Sequence, residues 1–248
     1  MKRCLVISIE GNIGTGKTTI INELKRKLKG CGRIAIIPEP AEEWLDKGFL
    51  PKMYRGEIDA VAFQHMVLIS LASKLMTELE ANSELIITER SPFSNFAVFA
   101  KMQLKGVDLE LYEHTWKDVV SMFERRAIVR HVVLQGDPKG LLVRIQHRNR
   151  KGEECLQLDQ LAKLEEHHTT WLKDIRADIV KTVPYEQESC AVVKDVCNAI
   201  CDFISEELQA DRLNASRETN DRHNATKILL QAANVPHTVP DTQTFQDI

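Results

Sequence analysis

The chain has 248 residues, 43% of them hydrophobic, which suits one α/β domain with a substantial core of its own. Lys and Arg total 33 against 36 Asp and Glu, and a formal net charge of -3 gives no reason to expect a nucleic-acid polymer or an anionic membrane as partner. Six cysteines without a C-x-x-C pair support neither a zinc site nor a disulfide framework and read as reduced thiols; the adjacent His167 and His168 point apart on a helix and do not suggest a metal site.

The first apolar run, Leu5–Ile9, begins so close to Met1 that no leader is expected, no stretch is expected to span a membrane, and a cytoplasmic location follows. Further β-branched runs at Arg33–Ile37, Leu85–Thr88 and His131–Leu134, with a short one near Ile179–Val183, alternate with helical patterns. That alternation predicts an α/β fold with a parallel sheet of about five strands covered by helices. Helices are predicted at Lys17–Lys29, Ala60–Glu80, Pro92–Gln103, Leu109–Arg125, Pro138–His147, Leu156–Arg176 and Ala191–Gln209. The domain is expected over 1–208, and the Asn-, Thr- and Gln-rich remainder, 209–248, reads as a mobile polar tail.

Between the first strand and first helix stands Gly11-Asn12-Ile13-Gly14-Thr15-Gly16-Lys17-Thr18-Thr19, which contains G-x-x-x-x-G-K-[ST] in the context its mechanism requires. Glycines let successive backbone N–H groups face phosphates at a helix N-terminus, Lys17 is placed to pair with the β- and γ-phosphates, and Thr18 to help hold Mg²⁺. The motif implies nucleoside triphosphate binding and leaves GTPases, motor ATPases and small-molecule kinases open.

At the end of the second apolar run, Glu39 offers a carboxylate where open α/β sheets place their ligand crevice, and Trp44 offers a flat wall for a sugar or base. The same two residues read equally well as a surface loop residue and a core anchor. The third strand ends in Thr88-Glu89-Arg90-Ser91, an acid–Arg pair suited to Mg²⁺ and to a transferred phosphoryl group. Arg144 and Arg148 share one helical face ahead of Asn149-Arg150-Lys151-Gly152-Glu153, a basic run suited to a short lid that neutralises developing charge.

Taken together, Ile9-Glu10 with the glycine loop, Glu39-Pro40 with Trp44, Phe63-Gln64, Glu89-Arg90-Ser91, Arg148-Asn149-Arg150 with Glu153, and His168-Thr169-Thr170-Trp171-Leu172 resemble the deoxyribonucleoside kinase family over roughly Leu5 to Leu172. The resemblance implies a P-loop kinase fold with an Arg-rich lid, ATP and Mg²⁺ as cofactors, a deoxynucleoside substrate and a homodimer. By position it implies Glu39 as general base for the 5′-hydroxyl, Arg90 to position that hydroxyl, and Glu89 beside the magnesium. It places Gln64 at the base edge, Tyr54 and Glu153 at the sugar 3′-hydroxyl, and Trp44, Phe93 and Phe99 around the nucleoside. Arg144, Arg148 and Arg150 would close on the phosphates. Two departures stand out: the interval from Tyr54 to Gln64 is one residue shorter than in the broad-specificity insect enzyme of the family that the chain resembles, and the lid carries Lys151-Gly152 where relatives have a polar residue and an acid.

Val67, Leu71 and Asn95 are expected beside the base; deoxycytidine and deoxyguanosine kinases resemble one another in having an Arg and an Asp at the last two positions, and this chain has neither charge. Gln64, by flipping its amide, can match a thymine or a cytosine edge. Thymidine and deoxycytidine are therefore expected to be preferred over purines. Two alternatives are a thymidylate-type monophosphate kinase, which has an Arg where this chain has Pro38, and a silent structural relative, which would be expected to lose Lys17, Glu39 or Arg90.

Overall fold

An apolar run that is buried almost from end to end puts β1 (Cys4–Gly11) in the middle of a five-stranded sheet, as expected where helices cover both faces. The computed structural model describes residues 3–150, 152–176, 180–184 and 191–210. The strands β2 (Ile34–Ile37), β3 (Leu85–Glu89), β4 (Ala127–Gln135) and β5 (Val180–Pro184) complete the sheet in the order β2-β3-β1-β4-β5. Every pairing is parallel, with Ile7 level with Ile87 on one side and Arg130 on the other. The chain divides into two compact units, Met1–Phe203 and Ile204–Ile248. The tail expected over 209–248 lies, from residue 211 on, outside the described residues, as do Lys151 and Cys190.

The connections are α1 (Lys17–Lys27), α2 (Ala41–Asp46), α3 (Phe49–Tyr54), α4 (Ala60–Glu80), α5 (Pro92–Ser94), α6 (Lys101–Gln103), α7 (Gly106–Glu124), α8 (Pro138–Arg148), α9 (Leu158–Asp174) and α10 (191–210). Asp59 caps α4 by accepting from the Ala62 amide at 2.9 Å, and Asp137 caps α8, with Pro138 in its first turn. The spacing of Phe63, Val67, Leu71 and Leu75 turns one face of α4 inward, where Leu68, Ile86, Tyr112 and Phe123 are fully enclosed. Each such aliphatic side chain contributes about 1.5–3 kcal/mol on burial.

Three expectations need correction. By length and composition α4 is apolar enough to cross a bilayer, contrary to the expectation that no stretch would be; its inner face is packed in the protein core. The predicted helices leave out α2–α3, which is two six-residue helices, each followed by a turn that Gly48 or Gly56 closes. Pro92–Gln103, expected as one regular helix, contains a π-helical stretch, Asn95–Ala100, between α5 and α6. The wider turn directs Asn95 and Phe99 toward the same cleft while Phe96, Val98 and Ala100 stay in the core.

Candidate active site

The carboxyl ends of β1, β2 and β3 meet at one end of the sheet, and the residues singled out above converge there. Most of them line a cleft of about 620 Å³, within the range that holds a small-molecule ligand. Ile13, Gly14, Gly16, Lys17, Thr18 and Thr19 form its phosphate-facing end. Gly11, Asn12 and Thr15 do not face the cleft; they shape the loop. Gly11 has φ 135°, and a Cβ there would stand 2.5 Å from the Leu134 carbonyl oxygen. Asn12 donates to the Leu161 carbonyl at 2.9 Å and to Glu165 at 3.0 Å, tying the loop to α9, while its Oδ1 accepts from the Ile13 amide.

Lys17 is buried, and its ammonium donates to the carbonyls of Gly11 (3.1 Å) and Asn12 (2.7 Å). Burial, reinforced by the Arg90 charge, lowers its pKa to about 7 against the pull of Glu39, Glu89 and Glu10. The Thr18 hydroxyl donates to Glu89 at 2.6 Å, and the other Glu89 oxygen accepts from the Glu39 amide at 3.4 Å. Burial and the neighbouring Glu39 charge raise the pKa of Glu89. No side chain caps α1, so its first-turn amides point at the same place as Lys17 and Thr18. This set fits a triphosphate, and Thr18 with Glu89 supplies the hard oxygen donors that Mg²⁺ takes. Among the described residues there is no cluster of three or more His, Cys, Asp or Glu for a metal held by protein alone.

Arg90 is the hinge of the arrangement. Its φ of 64° is left-handed, unusual for a residue with a side chain, and its backbone is pinned by hydrogen bonds from its amide to Ile9 (3.0 Å) and from Thr88 Oγ1 to its carbonyl (3.0 Å). Its guanidinium reaches Glu39 at 2.9 Å, the Gly11 carbonyl at 3.1 Å, and lies 4.5 Å over the Phe99 ring. Next to it the Ser91 hydroxyl donates to Glu10 at 2.6 Å, whose second oxygen has no hydrogen-bond partner among the described residues; burial raises its pKa.

The other end of the cleft is lined by Trp44, Tyr54, Phe63, Gln64, Val67 and Leu71, with Asn95 and Phe99 opposite. Trp44 is both a core anchor and a wall, meeting Phe63 edge-on at 6.3 Å. Tyr54 faces Glu153 and Glu39, and burial, then Glu153, raises the pKa of its hydroxyl. Phe93, expected around the nucleoside, is not part of the cleft: it packs edge-on against Trp116, Phe123 and His131 on the other side of the helix.

Arg144, Arg148, Arg150 and Glu153 of the lid reach the cleft, but Arg148 forks onto Glu153 with contacts of 2.6 to 3.1 Å, and Arg150 stands 3.8 Å from the same carboxylate. The departure at Gly152 has a steric cause. With φ 92° it passes so close to α3 that a Cβ would sit 2.7 Å from Pro51 Cγ. Lining residues missed by sequence reasoning include Met102, Gln103, Asn22 and Leu164; the first two are carried in by the π-helical stretch, for which the sequence gives no period.

The family model for deoxynucleoside kinase matches residues 7–207. This chain belongs to the deoxynucleoside kinase family. It is similar to a protein of Invertebrate iridescent virus 3 whose name describes a kinase, 34% identical over 166 residues, 66% of this chain and 80% of that one. It is also similar to the thymidine kinase of Ictalurid herpesvirus 1 (29% identical, 79% and 86% covered) and to the deoxycytidine kinase of Homo sapiens (27%, 77% and 83%). Membership makes this deoxynucleoside kinase a phosphotransferase on a small nucleoside, and a kinase of this family implies ATP as phosphate donor.

Proposed function

We propose that the enzyme transfers the γ-phosphate of ATP to the 5′-hydroxyl of a deoxyribonucleoside, with thymidine and deoxycytidine preferred over purine nucleosides. The observation that carries this reading is the Glu39–Arg90 pair, 2.9 Å apart, standing between the phosphate loop and a cleft walled by an amide and apolar side chains. Glu39 takes the proton of the 5′-hydroxyl as its oxygen attacks the γ-phosphorus, the bond to the β-phosphate oxygen breaks, and ADP leaves. Arg90 holds Glu39 and the hydroxyl in one place, and Arg144, Arg148 and Arg150 balance the charge that spreads over the transferred group. Mg²⁺, when held by Thr18, Glu89 and the phosphates, supplies charge neutralisation at the leaving oxygen. Tyr54 and Glu153 bind the 3′-hydroxyl, for which Arg148 has to release or share its carboxylate.

Pro38 in place of the Arg of thymidylate-type kinases argues against an anionic acceptor, and Lys17, Glu39 and Arg90 all stand in the cleft, which argues against a silent relative. A homodimer is part of the same proposal: exposed apolar side chains stand on two neighbouring helices, Val107, Leu111 and Met122 on α7 and Ile69 on α4. Kinetics on the four deoxynucleosides and thymidine monophosphate test the function. A purine nucleoside with the highest kcat/KM would overturn the preference, and the monophosphate as the sole acceptor would overturn the reaction.

A further inference from the structure

We infer that the base pocket selects pyrimidines with an imide edge, thymidine and deoxyuridine, over deoxycytidine, and that Tyr112, which does not line the cleft, sets this choice by fixing the polarity of a three-amide chain. The inference rests on the proposed nucleoside kinase activity and names the substrate class of that site.

Four side chains are joined in sequence. The Tyr112 hydroxyl bonds Asn95 Oδ1, Asn95 Nδ2 donates to Gln64 Oε1 at 2.7 Å, and Gln64 Nε2 donates to Gln103 Oε1 at 2.9 Å. Any of the amides alone could be turned over, exchanging oxygen for nitrogen. Tyr112 prevents this. It is fully buried on α7, stacked against Phe96 at 6.2 Å, and its hydroxyl has no other hydrogen-bond partner among the described residues. If Asn95 turned its nitrogen toward the phenol, the phenol proton would be left in the core without an acceptor, and a buried donor left unpaired is strongly disfavoured. Burial also raises the pKa of the phenol, so it stays a donor. Asn95 Oδ1 therefore faces Tyr112, its nitrogen faces Gln64 Oε1, and the Gln64 nitrogen faces Gln103.

Each of the polar groups facing the cleft keeps one valence for a ligand. Asn95 Nδ2 and Gln64 Nε2 each retain one N–H, and Gln64 Oε1 retains one lone pair. Asn95 and Gln64 both line the cleft, so its wall reads donor, acceptor, donor. The imide of uracil or thymine reads acceptor, donor, acceptor: two carbonyls flanking N3–H. Because both flanking groups are carbonyls, the match holds whichever way the ring enters. Cytosine can give its amine to Gln64 Oε1 and take a proton at N3 from Gln64 Nε2, but the second amine hydrogen then meets the Asn95 N–H. The carboxylates lining the cleft are Glu39, Glu89 and Glu153, and none of them bonds this chain of amides to offer the missing acceptor. Gln64 is thus not free to flip between thymine and cytosine.

Deoxyuridine and deoxycytidine isolate the effect, since they differ only at this edge. The wild-type enzyme is expected to favour deoxyuridine by about tenfold or more in kcat/KM, in line with the worth of a matched hydrogen-bonding edge. Tyr112→Phe frees Asn95 to turn, and the ratio should fall to within about threefold, while kcat on thymidine changes far less. Asn95→Asp places an acceptor where the donor stood and should reverse the ratio; it decides the matter if Tyr112→Phe proves unstable to urea. Wild-type preference for deoxycytidine, or an equal loss on both nucleosides in Tyr112→Phe, would overturn the inference and leave the kinase activity standing. No phosphorylation of any nucleoside would remove the proposed function itself.

Discussion

Nucleotide binding should take up a proton, and the amount follows from where Lys17 sits. Enclosure of its ammonium within the loop, with Arg90 nearby, holds its pKa at about 7 in the free enzyme. A triphosphate entering the loop replaces that environment with strong negative charge and returns the amine to its ordinary range. The sign is fixed: a depressed amine is neutral above its pKa, and the ligand favours its charged form, so binding above pH 7 is coupled to protonation. At pH 8 the amine is mostly neutral and should gain ~0.9 proton on binding, falling to ~0.1 at pH 6. Affinity should correspondingly weaken about tenfold per pH unit above 7. Calorimetric titrations in two buffers of different ionisation enthalpy, at pH 6, 7 and 8, give the proton count directly. Lys17→Met serves as the control for protons exchanged by the nucleotide. An uptake that does not rise with pH, or that persists in Lys17→Met, would refute the reasoning.

Three further outcomes are expected. Glu39→Gln keeps the shape of the Arg90 contact and should lower single-turnover phosphoryl transfer by about 10²- to 10⁴-fold; near-normal turnover would remove Glu39 as the base. Gly11→Ala forces a Cβ to 2.5 Å from the Leu134 carbonyl at a φ of 135°, and should cost at least ~1–3 kcal/mol in urea denaturation; an unchanged midpoint would contradict the close approach. His131, bonded to Ser8 at 2.6 Å, has its pKa lowered to about 4 by burial, so the unfolded chain binds a proton that the folded one does not between pH 6.5 and 4. Stability should be full above pH 6.5 and fall by ~1.4 kcal/mol per pH unit below it for this group, and the slope should be shallower in His131→Gln; identical slopes would exclude it.

The sheet and its principal helices were legible because burial imposes period: Ala60–Glu80 was read at its true bounds from the recurrence of Phe63, Val67, Leu71 and Leu75. The phosphate loop was legible because its backbone geometry demands glycines at fixed positions. What escaped were features set by neighbours rather than by local pattern. Helices α2 and α3 are six residues each, too short to show a face, and α3 has Pro51 within it. The direction of Phe93 depends on Trp116 and His131, residues far along the chain. The resemblance implies Gln64 beside a base, yet its hydrogen-bonding direction follows from Tyr112, 48 positions away, and no spacing rule connects the two. The same holds for Glu153, whose carboxylate is taken by Arg148.

The place of β1 at the centre of the sheet has a consequence for synthesis. The first strand to be made is the one that must wait: its partners lie some eighty residues later in β3 and more than a hundred later in β4. At ~5–20 residues per second, translation leaves Leu5, Val6, Ile7 and Ile9 without their flanking strands for roughly 6–25 s. Until Leu85–Glu89 has emerged both edges of β1 are open, one of them stays open until Ala127–Gln135 follows, and the glycine loop after β1 has no α9 for Asn12 to grip. A ribosome-bound fragment ending before residue 161 therefore has the phosphate-binding motif in full but not the α9 contact that holds Asn12, and its open strand edge is a surface that a holding chaperone can cover.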